Sequence, residues 1–188
     1  MHSKIVFFIT ALGLALILGA CAAPATPLYR EVSPATMTPG SPIPVPSEEV
    51  ILTISGDISV TNVGDTLQLD MSTLESLGLV EYAVEDPWLS EEVTYTGVLM
   101  SKLSEFVGAS ESADNFHIEA LDDYQVDLPF ADIERWPILL ATRSNGQYMA
   151  IENAGPTRII FPYHSFKELD LEKHNDLWIW NIDSMQVN

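Results

Sequence analysis

Apolar and polar residues alternate along most of the chain in short runs, broken at close intervals by Gly, Pro and Asp or Asn pairs. Val50, Leu52 and Ile54 alternate with Ile51, Thr53 and Ser55 ahead of Gly56-Asp57, which predicts a strand and a turn. A second strand is expected over residues 66–70. Ser72-Thr73-Leu74-Glu75 has the spacing of a capping box, with Ser72 as the cap of a short helix that stops at Gly78. Residues 79–84 alternate as a strand closed by Pro87-Trp88, and Val93-Thr94-Tyr95 favours β structure. Beyond Gly97 the period changes: Leu99, Leu103, Phe106 and Val107 recur at helical spacing as far as Gly108. Residues 116–121 and 124–128 form a hairpin around Asp122-Asp123, and residues 129–136 give one or two helical turns ended before Pro137. Residues 138–142 and 148–151 flank Ser144-Asn145-Gly146-Gln147, where Asn-Gly suits a type I′ turn. Strands at 158–161 and 177–187 complete the inventory, the last with Trp178, Trp180 and Ile182 on one face. The expected class is α+β: a mostly antiparallel mixed sheet with a few short helices.

The N-terminus follows a different rule. After Lys4 an apolar run extends from Ile5 to Leu18, too short to span a bilayer comfortably, and it closes on Leu18-Gly19-Ala20-Cys21. This is the form of a lipoprotein signal: residues 1–20 are cleaved, the Cys21 thiol takes a diacylglyceryl group, and the new N-terminus is acylated by palmitate or a similar chain. Each buried CH₂ of such an anchor contributes about 0.8 kcal/mol, so two or three chains hold a protein firmly. The expected location is the cell envelope, facing the periplasm, and Ala22 after the lipidated residue suits the outer membrane. Residues 21–47 carry seven of the twelve prolines and read as a semi-extended tether, leaving residues 48–188 as one domain with a core of its own.

Charge then narrows the partners. The chain has 27 acidic and 8 basic residues, and the signal removes only Lys4. Nucleic acid is excluded as a partner, and anionic headgroups are repelled, so membrane contact falls to the acyl anchor. Cys21 is the single cysteine, and once lipidated it leaves no thiolate for metal ligation, an iron–sulfur cluster or nucleophilic catalysis. Phosphate-binding Gly loops and a Gly-x-Ser-x-Gly elbow are missing from the sequence. His117, His164 and His174 show no metal-ligand spacing, so no metal site is expected.

Five segments in order carry a resemblance: Tyr95-Thr96-Gly97-Val98-Leu99; Ala120-Leu121-Asp122-Asp123-Tyr124 with Val126 and Pro129; Ile138-Leu139-Leu140-Ala141-Thr142-Arg143 with Asn145-Gly146; Gly155-Pro156-Thr157-Arg158 with Phe161-Pro162-Tyr163; and Leu177-Trp178-Ile179-Trp180. Together they make the chain resemble the molybdopterin-binding domain of the sulfite oxidase superfamily, in a small exported single-domain branch. The resemblance implies the sulfite-oxidase-type fold over residues 50–187 and a pocket near the 155–158 loop. It also implies molybdopterin as the cofactor, with Gly97 opening the main helix. Catalytic members hold molybdenum through a cysteine between the first helical turn and that glycine. Here the corresponding stretch, Val80 to Trp88, has none, and the family's Lys-Trp pair appears as Leu177-Trp178.

Arg143 and Arg158, two of only seven bases in the mature chain, are natural contacts for a small anion if they are not paired to structural carboxylates. With Tyr124, Asn145 and Trp88 they form the candidate ligand or cofactor residues, while Cys21 is the lipidation site. The residues favour a binding module that kept the fold, lost the metal, and takes a small anionic ligand or an envelope protein partner. The alternatives are a molybdopterin-dependent oxidoreductase component with non-cysteine ligation of the metal, and a purely structural lipoprotein.

Overall fold

The structure is a computed structural model that describes residues 27–166, 168–169 and 174–188. The signal segment, Cys21 and the first residues after it lie outside the described residues, as does the lipid anchor expected there.

The described part of the segment expected as a tether, residues 27–47, packs onto the domain. Arg30–Ser33 form β1, an edge strand antiparallel to β4 (Leu79–Asp86), with Arg30 opposite Glu81. The window between Pro27 and Pro34 is free of proline, and an edge strand needs hydrogen bonds on one side only. Farther on, the Thr36 and Met37 amides donate to the Ser76 carbonyl at 2.8 and 3.0 Å, and Met37 and Ile43 pack against the core.

β2 (Val50–Gly56) and β3 (Leu67–Asp70) pair as a hairpin and lead into α1 (Met71–Glu75). The cap of α1 is Asp70, not Ser72. The Asp70 carboxylate accepts from the Thr73 amide at 2.9 Å and from the Ser72 hydroxyl at 3.0 Å. Hydrogen bonding from Thr73, helped by Ser47 and Ser72, pulls the Asp70 carboxyl down to about 2 against the opposing effect of burial. With Asp70 as the cap, Glu75 is released from the box and pairs elsewhere.

β4 turns back into β5 (Glu91–Leu99), which runs straight into α2 (Met100–Val107). Gly97 therefore does not open the helix; it lies inside β5, where the Met100 amide two residues past Val98 bonds to Ile138 O at 2.9 Å. A Cβ at Gly97 would overlap the Leu140 carbonyl oxygen and lie 2.6 Å from Ala141 Cα, so glycine is what lets β5 approach its neighbour. β6 (Asn115–Ala120), β7 (Gln125–Pro129) and α3 (Phe130–Arg135) follow, then β8 (Leu139–Ser144) and β9 (Gln147–Tyr148). Asn145 and Gly146 have φ of 48° and 78°, the two left-handed positions of a type I′ turn.

β10 (Arg158–Ile160) and β11 (Ile182–Val187) complete the strands. The final strand is shorter than its sequence pattern suggests. Asn175–Leu177 form a single 3₁₀ turn, Asn181 sits at φ 52°, and Trp180 makes only an isolated bridge to Arg158. One sheet has the order β1-β4-β5-β8-β10 with β9 beside β8, and the other β3-β2-β11-β6-β7. Every pairing is antiparallel except β2 with β11, because β11 returns to the sheet from the far end of the chain. A single buried cluster takes Leu52 and Ile54 from one sheet, Val98 and Leu140 from the other, and Leu103 and Phe106 from α2.

Candidate functional site

The site is built on a carboxylate at the end of β4. Asp86 is fully buried, and its Oδ2 accepts from the Tyr95 hydroxyl at 2.6 Å and lies 3.3 Å from Nη2 of Arg158. Arg158, 5% exposed at the start of β10, also donates from Nη1 to the Tyr95 oxygen at 3.0 Å. Burial, and then the hydrogen bond to Asp86, push the Tyr95 phenol well above its ordinary pKa, so it stays a proton donor. The other oxygen of Asp86 accepts from the amides of Trp88 and Leu89 at 2.9 and 3.0 Å. One side chain thus neutralises a buried guanidinium and shapes the turn that presents Trp88.

Trp88 stands over an aromatic cleft. Its ring centroid lies 5.1 Å from that of Trp178 and 5.6 Å from that of Trp180, the second pair nearly perpendicular at 79°. The cleft has a volume of ≈ 290 Å³, and Trp88, Tyr124, Trp178, Trp180, Asp122 and Asp176 line it. Trp178 is buried and stacked on Tyr163 at 5.2 Å, which fixes the floor. Trp88 and Tyr124 are 43% and 45% exposed. The Tyr124 hydroxyl donates to the Asp176 carbonyl at 3.1 Å, while Asp122 holds the Tyr124 amide at 3.2 Å. Burial and the negative charge of Asp176 raise the Tyr124 phenol above its usual pKa.

The remaining candidates lie apart from this cleft. Arg143, on β8, grips Glu75 of α1 with two nitrogens, Nε reaching Oε1 at 3.0 Å, and stacks over the Tyr148 ring at 4.5 Å. Glu75 and Tyr148 together raise the Arg143 pKa, the Glu75 hydrogen bond contributing most. Asn145 accepts from the Thr94 amide at 3.1 Å and serves its turn. A second cleft of ≈ 450 Å³ runs past Leu89, Tyr95, Tyr148, Met149, Glu152 and Arg158, beside the cis Gly155–Pro156 bond. Both arginines expected as anion contacts are thus spent on carboxylates, and the Arg158 Nε is buried without a partner.

Of the five expected ligand residues, the structure gathers Trp88 and Tyr124 in one cleft, sets Arg158 in the lining of the second, and leaves Arg143 and Asn145 on the β8–β9 hairpin. Asp86, Tyr95, Asp122, Asp176 and Glu75 were not among the ligand residues expected from the sequence. Asp86 had a signal, since Asp ahead of Pro-Trp favours a turn in which the carboxylate bonds amides two and three residues on. Asp176 had none, because its role depends on a contact with Tyr124, 52 residues away.

Residues 72–168 match the family model described as oxidoreductase molybdopterin binding domain. The match ends before Leu177-Trp178. No curated protein matches the chain. Among solved structures, the crystal structure of the sulfane dehydrogenase SoxCD from Paracoccus pantotrophus is similar, with a TM-score of 0.54 and 13% identity. That alignment covers 72% of this chain, which spans only 37% of the SoxCD chain.

Proposed function

The chain belongs to the oxidoreductase molybdopterin-binding domain family, with its sulfite-oxidase-type fold, and from that premise we propose a non-redox ligand-binding module anchored in the cell envelope. The observation that carries this reading is the buried Asp86–Arg158–Tyr95 cluster. The stretch from Val80 to Trp88, where the resemblance implies a molybdenum-binding cysteine, supplies no sulfur, and its buried acid has both oxygens engaged. Molybdenum is tuned by soft thiolate ligation, which a saturated carboxylate does not replace. Among the described residues no three His, Cys, Asp or Glu side chains converge as ligands. Among the described residues that line the second cleft, Arg158 is the one cation and its Nη2 faces Asp86, while Glu152 adds negative charge to a cleft that a pterin phosphate would need to be basic. The residues present do not fit the molybdenum cofactor.

Metal analysis of protein purified from its native membrane tests this reading. Molybdenum well below one equivalent and no pterin fluorescence after acid oxidation are expected; stoichiometric molybdenum would sink it. The anchor is supported by Leu18-Gly19-Ala20-Cys21, and among the described residues no helix is long and apolar enough to cross a membrane. Cys21→Ser is expected to move the protein from the membrane pellet to the soluble fraction, and continued retention in the pellet counts against lipidation.

A further inference from the structure

Large exposed aromatics clustered around a concavity mark ligand sites rather than ordinary surface. Trp88 and Trp180 meet edge to face at 79°, and Tyr124 lines the same cleft. The faces of indole and phenol rings carry negative quadrupole charge and attract cations. The charged side chains at this cleft have the same sign: Asp122 and Asp176 are exposed at its rim, and among the described residues that line it none is basic. The buried Arg158 guanidinium lies 5.6 Å from the Trp178 ring and 5.9 Å from the Trp180 ring, but Asp86 balances its charge. The chain as a whole carries a formal charge of -19, so the surrounding field draws cations and repels anions.

We propose that the tryptophan cleft binds an organic ammonium cation, with an alkylated nitrogen seated among Trp88, Trp180 and Tyr124 and its charge balanced by Asp122 and Asp176. The aromatic walls suit a weakly hydrated, methyl-clad nitrogen better than a bare ammonium, which would lose strong hydration without donors to direct at the rings. The inference rests on the domain acting as a non-redox binding module and names the ligand class of that module.

The test uses the full lipidated chain in a polyoxyethylene detergent at constant ionic strength. Choline chloride and its uncharged carbon isostere, dimethylbutanol, are titrated while tryptophan fluorescence and heat are recorded. Choline is expected to bind saturably, with the isostere about tenfold weaker or worse, the size of a partly desolvated cation–π contribution. Trp88→Ala is expected to weaken choline about tenfold, Trp88→Phe much less, and the Asp122→Asn, Asp176→Asn double variant several-fold with an unchanged melting temperature. Equal binding of choline and the isostere overturns the proposal, as does binding of a neutral oligosaccharide in place of choline. Molybdenum is measured on the same preparation. Metal-free protein that ignores choline overturns only this inference, whereas stoichiometric molybdenum overturns the non-redox reading whatever choline does.

Discussion

Asp86→Ala is expected to lower the melting temperature by roughly 10 °C, because removing one partner of a buried pair strands the other at a cost of about 3–5 kcal/mol. Arg158 is 5% exposed and has no other described carboxylate within ion-pair distance, so its charge would remain in the interior without balance. Tyr95 would lose the acceptor of its 2.6 Å hydrogen bond at the same time. A double variant, Asp86→Leu with Arg158→Met, is expected to regain much of the loss, since well-packed apolar residues replace buried ion pairs at little cost. That recovery is not expected to extend to the cleft. The amides of Trp88 and Leu89 still lack the carboxylate that holds their turn, so choline binding stays weak in the double variant. Thermal melts and choline titrations on the three proteins check both statements. A single variant that melts with the parent protein would mean the cluster contributes nothing net.

Gly97→Ala is expected to abolish the folded state. The added Cβ would overlap Leu140 O and crowd Ala141 Cα, and both are backbone atoms of β8 that cannot swing aside as a long side chain would. β5 and β8 are interior strands of the larger sheet, and the register already shifts between Thr96 and Gly97 to admit the close approach. Overpacking against mobile side chains costs about 1–3 kcal/mol, and here the obstacle is a paired strand. Gly146→Ala is the informative control. Nothing lies within 4 Å of its Cβ position, and only its φ of 78° opposes the change, for a loss of about 1 kcal/mol. Far-UV circular dichroism and urea titration separate the two outcomes; a cooperative transition in Gly97→Ala near that of the parent would refute the backbone argument.

Where an element is held by its own side chains, the sequence was a good guide. The β6–β7 hairpin around Asp122-Asp123, the type I′ turn at Asn145-Gly146 and α2 with its apolar face all lie where patterning puts them, because periodicity and turn chemistry are local. Reading was less accurate where a distant partner decides. The capping box at Ser72 is locally sound, yet Asp70 caps α1 and Glu75 turns to Arg143 on a strand 68 residues away. Val32 and its neighbours look like tether until the free edge of β4 is available to pair with them.

The same division runs through the site. The residues themselves establish that Cys21 is the single cysteine and closes an apolar N-terminal run, that the domain after it carries no thiol, and that acids outnumber bases 27 to 8. Those are matters of inventory, and inventory does not depend on folding. Tertiary structure alone decided which charges are free. Arg143 and Arg158 look available in a list of eight bases, but folding brings Glu75 and Asp86 against them, since a buried or half-buried guanidinium is stable only with a nearby carboxylate. Folding also assembled Trp88, Tyr124, Trp178 and Trp180, which come from three separated stretches of chain, into one acidic aromatic cleft.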